Sequence, residues 1–232
     1  MKQLLEKIRR QGIPSLDGSL HKISAFLAVV FAAPGAIIAV LGLINWEGYG
    51  FSSLLFFLFS GVLYFLGRNM RHDYEKIGPT VVIPDPLPAV IGHELGGHFM
   101  LAAKPRNDLT LKLSCTHTYS SGSSDNSSKM VVHQQEMPAY LEPQGDGVQK
   151  VSFLFQLPED KPESDSPEYR GTISWELRAT GLVTNDTKVP GTQITELIEF
   201  DRSWTLPVLS QAYASALGLT PEGLFLSNSS KA

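Results

Sequence analysis

A single cysteine, Cys115, stands in a chain of 232 residues, so no intrachain disulfide framework exists and the fold must be held by burial. Basic residues are not in excess either. Nineteen lysines and arginines face 23 aspartates and glutamates, a net charge of −4, which is too little positive charge to hold a phosphate backbone and argues against nucleic acid as a partner. Glycine-rich phosphate loops, a nucleophile elbow and a dinucleotide fingerprint are missing. What is present is apolar: 43% of the residues are hydrophobic, too many for a disordered chain. They are unevenly spread, concentrated before position 70, whereas most acidic residues come after it.

No charged side chain interrupts Ile23 to Ile44 or Gly48 to Gly67. At about 1.5 Å per residue each run covers roughly the ~30 Å of a bilayer core, so two transmembrane helices are expected, over about 23–44 and 49–67. A chain this short cannot cover two all-round apolar helices with its own surface. The linker Asn45-Trp46-Glu47-Gly48-Tyr49-Gly50 allows only a tight hairpin, with Trp46 and Tyr49 at headgroup level. Lys2, Lys7, Arg9, Arg10 and Lys22 precede the hairpin and Arg68, Arg71 and Lys76 follow it, so the bias of positive charge puts both ends in the cytoplasm. A polar leader of 22 residues followed by two apolar runs does not suit a cleavable signal peptide. Pro34-Gly35 predicts a bend in the first span, and Ala28, Ala32, Ala36 and Ala39 predict a small-residue face for close packing. Neither span holds an ionisable group, so machinery for ion or proton transport is not visible.

Gly78-Pro79 and Pro84-Asp85-Pro86-Leu87-Pro88 read as a stiff connector, with a domain boundary near Thr80. Beyond it the chain runs in short alternating or β-branched segments between Gly, Pro, Ser and Asp clusters. Strands are predicted near 80–84, 90–100, 108–119, 129–137, 148–157, 171–182 and 193–209, a number that suits a two-sheet sandwich. Residues 120–128 read as a flexible polar loop and Gln144-Gly145-Asp146-Gly147 as a turn. A short helix is possible around Ala212 to Leu217, in a tail expected to be loosely ordered.

His93-Glu94-Leu95-Gly96-Gly97-His98 invites comparison with the zinc-protease helix, in which two histidines four apart share a face. Here the spacing is five, which turns a helix by about 500° and points the imidazoles apart. On a strand the two fall on opposite faces, so no metal site is expected. Cys115 and His117 share a strand face, and His133 on the following strand completes a conceivable thiol–imidazole pair. The preferred reading places Cys115 in the core, because it continues the apolar row Leu109, Leu111, Leu113. Three glycosylation sequons, at Asn126, Asn185 and Asn228, read as chance matches in a cytoplasmic domain.

Two segments carry more. Val151-Ser152-Phe153-Leu154-Phe155-Gln156-Leu157-Pro158 ends a strand as F-x-F-x-L-P, Pro162-Glu163-Ser164 gives a P-x-S turn, and Gly171 to Ala179 is a strand with Trp175 and an L-x-A ending. Val151, Phe153, Phe155 and Leu157 form one apolar face at period two, and Ile173, Trp175 and Leu177 supply a facing core strand. In order and spacing these pieces resemble the arrestin pattern. Pro88 to Leu101, with Gly92 before a variable pair and Gly96 allowing close backbone approach, is similar to the arrestin glycine strand. The resemblance covers about residues 80 to 210 and implies a β-sandwich of arrestin type with a scaffolding or adaptor role. It implies one lobe where full arrestins have two, beside a membrane hairpin they lack. No receptor- or phosphate-binding residue is carried over.

The sequence is therefore read as an all-β immunoglobulin/arrestin-like sandwich preceded by a two-helix transmembrane hairpin. Residues 1–22 form a basic cytoplasmic leader, 23–67 the hairpin, 68–79 a linker, 80–210 the sandwich and 211–232 the tail. The expected task is that of a membrane-anchored, non-enzymatic adaptor whose cytoplasmic sandwich binds another protein by loops or an open sheet edge. No catalytic, cofactor-binding or metal-ligating residue is assigned. Alternatives are an extracytoplasmic sensor or envelope domain, and a membrane-associated enzyme using Cys115 with His117 or His133.

Overall fold

A computed structural model gives the structure of the chain and describes residues 1–45, 50–120, 127–145, 147–166, 168–189 and 192–219. The chain opens with helix α1 (Lys2–Gln11) and the short strand β1 (Ile13–Pro14), then two long helices, α2 (Asp17–Asn45) and α3 (Gly50–Ile77). Strands follow: β2 (Val81–Asp85), β3 (Ala89–Val90), β4 (Glu94–Leu101), β5 (Lys104–Pro105), β6 (Thr110–Ser120), β7 (Ser127–Pro138), β8 (Tyr140–Gly145) and β9 (Val148–Gln156). The long strands β10 (Thr172–Val189) and β11 (Thr192–Leu206), the short β12 (Val208–Leu209) and helix α4 (Gln211–Ala216) complete it. The chain forms two compact units: Met1–Ser15 together with the chain from Thr80 on, and Leu16–Pro79.

The smaller unit is a pair of antiparallel helices. Ser60 Oγ donates to the Ala28 carbonyl oxygen at 2.7 Å, and Phe31 meets the ring of Phe59 edge-on at 5.3 Å. Gly35 comes so close to Phe56 that a Cβ there would lie 3.0 Å from the Phe56 Cβ. The small-residue face is thus built on Ala28 and Gly35, while Ala36 is exposed. Helix α2 runs unbroken through Pro34. Helix α3 continues well past the expected span, helped by the Arg71–Glu75 pair at i,i+4 (2.7 Å), and stops at Gly78, whose positive φ of 82° lets its N–H reach the Tyr74 carbonyl. The expected linker 68–79 is therefore mostly helix. Among the described residues no helix is both long and apolar enough to cross a membrane, which departs from the two spans read in the sequence. Trp46, Tyr49 and the rest of the turn at 46–49 lie outside the described residues.

The larger unit is a β-sandwich. One sheet has the order β1-β2-β4-β9-β8 and the other β11-β10-β6-β7, with β5 also on β10; β12 and β3 form a small parallel pair. Alternation decides which side chains meet: Val151, Phe153, Phe155 and Leu157 are buried on one sheet, as are Ile173, Trp175 and Leu177 on the other. Across the gap Phe99 lies 4.9 Å from Trp204 and 6.1 Å from Phe200, centroid to centroid. The buried indoles are satisfied: Trp175 Nε1 donates to the Pro162 carbonyl at 2.9 Å and Trp204 Nε1 to that of Thr80 at 3.2 Å.

Three sequence boundaries move. The N-terminal segment, expected as a leader, belongs to the sandwich unit, because α1 buries Leu5 and Ile8 and β1 pairs with β2. The predicted strand 193–209 is broken at Pro207, and β8 was not foreseen. The tail begins in order: Ser210 caps α4, accepting from the Tyr213 N–H at 3.2 Å, and Ala214 packs with Val90 and Leu209. Residues 220–232, the loop centre 121–126 and Asp146 lie outside the described residues.

Gly97 is fixed by crowding. Its φ is 152°, and a Cβ would fall 2.6 Å from the Ile83 carbonyl oxygen and 2.8 Å from the Phe153 ring. Gly97→Ala is expected to cost about 1–3 kcal/mol in denaturant unfolding, whereas Gly61→Ala, in open space on a helix, gains about 0.5–1 kcal/mol.

Candidate functional site

The thiol of Cys115 lies on β6 in the core, opposite His133 on β7 and Trp175 on β10. It is fully buried, and burial pushes its pKa up to about 11 against the opposing pull of the Lys161 ammonium. His133 sits with its ring 5.9 Å from that of Trp175, and its Nε2 is buried without a hydrogen-bond partner among the described residues. Burial, helped by Lys161, holds its pKa below the ordinary value, and Asp160 opposes. His117 is turned elsewhere: its Nε2 donates to the Arg170 carbonyl at 2.8 Å, and its ring lies between Tyr119 and Tyr169. Among the described residues no hydrogen bond joins the thiol to either imidazole. The cluster is thus one core thiol, one half-buried imidazole opposite it and one rim histidine, with no hydrogen bond among the described residues to take the thiol proton.

His93 lies in the turn before β4, donating its N–H to the Val90 carbonyl and accepting from the Leu157 N–H, so the predicted strand starts later, at Glu94. His98 is on the outer face of β4, in register with Ile83 on one side and Ser152 on the other. Partial burial and Lys150 lower its pKa, against Asp85 and Glu142. Among the described residues no group of three or more His, Cys, Asp or Glu side chains is arranged to hold a metal ion. The sequon at Asn185 falls inside β10, opposite Glu196, while Asn126 and Asn228 lie outside the described residues.

Two surface features remain. The first is the edge strand β7, twelve residues long, which among the described residues pairs only with β6. Its register shifts at Cys115/Thr116, a bulge that leaves Val132 unmatched, and Met130 and Val131 beside it are 51% and 58% exposed. Lys129 and Pro138 stand near its ends. By comparison, the edge strand β8 is six residues long and contains Pro143. The second is an apolar groove of about 670 Å³ between α1 and the ends of β10 and β11, where Met1 and Leu4 face Ile173, Leu206 and Leu209. Neither α1 nor the groove was foreseen, although Leu4, Leu5 and Ile8 carry the helical spacing that announces a packed face.

No protein-family model and no curated protein matches the chain. Among solved structures it is similar to the sporulation control protein Spo0M of Bacillus subtilis, at 14% identity over 62% of this chain, with a TM-score of 0.36. The chain spans about half of that protein, 54% of its length. A superposition this loose carries no weight, and the sandwich stands on its own strand pairing.

A thiol with a pKa near 11 leaves about a hundredfold less thiolate than one at 9, so native Cys115 is expected to alkylate with iodoacetamide at least about a hundredfold more slowly than in urea. Comparable rates in the two conditions would restore the nucleophile reading. The histidines give a pH signature. His98 and His133 have folded pKa values below 6.5, so the unfolded chain binds more protons in acid. The stability contribution is full above about pH 6.5 and is lost as pH falls through the lowered values. The thermal midpoint is expected to drop between about pH 7.5 and 5, and His133→Gln to drop less over the same range.

Proposed function

We propose that the chain is a non-catalytic adaptor, held to the membrane by its helical hairpin, whose arrestin-type sandwich binds an extended segment of another protein along β7 on the cytoplasmic side. The observation that carries the binding half is the length and openness of β7, with Met130 and Val131 exposed beside its unpaired backbone. An unpaired strand edge offers main-chain donors and acceptors that an incoming strand satisfies, and exposed side chains give the register. Lys129, Pro138 and the bulge limit indiscriminate pairing, which suits a partner of matched shape better than stacking of identical edges.

The membrane half is supported by the hairpin surface. Phe26, Val29, Ile37, Leu54, Leu58, Phe65 and Leu66 are all more than half exposed, which in water would be a large unmet apolar area. The basic residues flanking the two apolar runs support the cytoplasmic side. The arrestin-type assignment is supported by the turn after β9, where Ser164 donates to the Leu206 carbonyl, accepts from the Val208 N–H, and so ties the P-x-S motif to the end of β11.

A photo-crosslinking residue placed at Val131 of the full chain, with membranes washed in carbonate after irradiation, tests both halves. The expected result is a membrane-retained chain with a discrete heavier adduct that Met130→Asp abolishes. Release of the chain by carbonate would refute the anchor. Adducts from a probe at Leu4 but not at Val131 would move the binding site to the groove.

A further inference from the structure

We infer that α1 is a headgroup-binding helix for anionic phospholipid, an inference that rests on the membrane attachment proposed above. Its ten residues include Lys2, Lys7, Arg9 and Arg10 against one acid, Glu6. At about 100° per residue, Gln3 and Arg10 lie opposite the buried pair Leu5 and Ile8, with Lys7 and Glu6 about 50° to either side and Lys2 at the border. The sandwich therefore occupies the apolar side of the helix and leaves a solvent-facing side on which Lys2, Lys7 and Arg10 are exposed. Met1 and Leu4, 47% and 48% exposed, lie on the groove side of the helix instead. A chain with net charge −4 concentrates cations here, so the helix is the complement of a negative surface while the rest of the protein is not.

The choice of a lipid surface over an acidic protein follows from the tether. Residues 12–16 join α1 to α2, whose apolar run begins at Ile23, so no more than about 30 Å of chain separates the basic helix from the start of the apolar hairpin. If the hairpin is in the bilayer, α1 is confined within reach of the headgroups, where clustered Lys and Arg adjoining an anchor read as anionic-lipid binders. Because Leu5 and Ile8 are already used and Met1 and Leu4 face the groove, the contact is electrostatic, and salt must weaken it.

The test uses the full chain in lipid nanodiscs, with an environment-sensitive fluorophore on the Gln3→Cys variant. Native Cys115 is buried, and the chain without Gln3→Cys, treated in the same way, gives its background labelling. The probe is disc composition: phosphatidylcholine alone, or with roughly one-third phosphatidylglycerol. The expected result is a blue-shifted emission with at least about a twofold intensity rise in the anionic discs, reversed by about 0.5 M salt. The triple variant Lys2→Glu, Lys7→Glu, Arg10→Glu, all at exposed positions and checked for an unchanged circular dichroism spectrum, is expected to lose the response. A chain that enters both discs but gives the same emission in each overturns the inference and leaves the anchor standing. A chain that enters neither overturns the anchor and the inference with it. A response to soluble polyglutamate in place of anionic lipid would overturn it in favour of an acidic protein partner.

Discussion

Phe99, reaching across from one sheet, meets Trp204 and Phe200 of the other, and this aromatic contact sets the spacing of the sandwich. Three aromatic side chains buried to 0–1% exposure cannot be repacked piecemeal, so the strands that carry them inherit their register. Gly97, two residues before Phe99 on β4, has no room for a side chain because β2 is pulled against it. Trp204 also reaches the Thr80 carbonyl, the same oxygen that accepts from the Ser15 N–H. The central core contact is thereby wired to the point where the chain leaves the sandwich and returns to it.

That point explains an unusual topology. β1 and β2 pair antiparallel, Ile13 opposite Val82 and Pro14 opposite Val81, as the arms of a hairpin do. Their connection is a whole helical unit, Leu16–Pro79. The entropy of closing a loop grows only slowly with its length, and an inserted unit whose own ends are close together costs less still. Two antiparallel helices bring their outer ends to one side, which is the geometry that a pair of adjacent strands requires. The insertion is tolerated because both partners present neighbouring termini.

How much of this was legible in the sequence follows the range of the signals. Period-two alternation in 109–115, 151–157 and 173–177 placed the core faces, and Cys115 in the same row was buried as read. The helical hairpin was visible from composition alone. The role of residues 1–15 was not, because their strongest signal, four cations in ten residues, describes the solvent side of α1 and hides the two residues it buries. β1, β3, β5 and β12 are two-residue strands with no periodicity to detect. The extension of α3 through 68–77 was masked by its polarity, since a helix stabilised by pairs such as Arg71–Glu75 looks like a connector to any reading based on apolar runs. As for the site, the alternative of a cysteine with a nearby histidine was legible in part: the β6–β7 register sets His133 opposite Cys115, whereas His117 is turned to the Arg170 carbonyl, a bond across 53 residues that no local pattern announces.

The edges of the two sheets are unequal for a structural reason. Along the side where β1 and β11 come nearest, α1 packs beside β2 and buries Leu5 and Ile8. On the opposite side the chain passes directly from β7 to β8 through Ala139, which donates its N–H to the Leu109 carbonyl. So short a crossing covers neither strand, and among the described residues each has one sheet neighbour. β8 is blunted by its length and by Pro143, whereas β7 keeps twelve residues and exposes Met130 and Val131 beside the bulge. Of the two long edge strands β11 has β1 beside it, whereas β7, among the described residues, has β6 alone. That asymmetry, more than any single residue, is what directs the binding reading to β7.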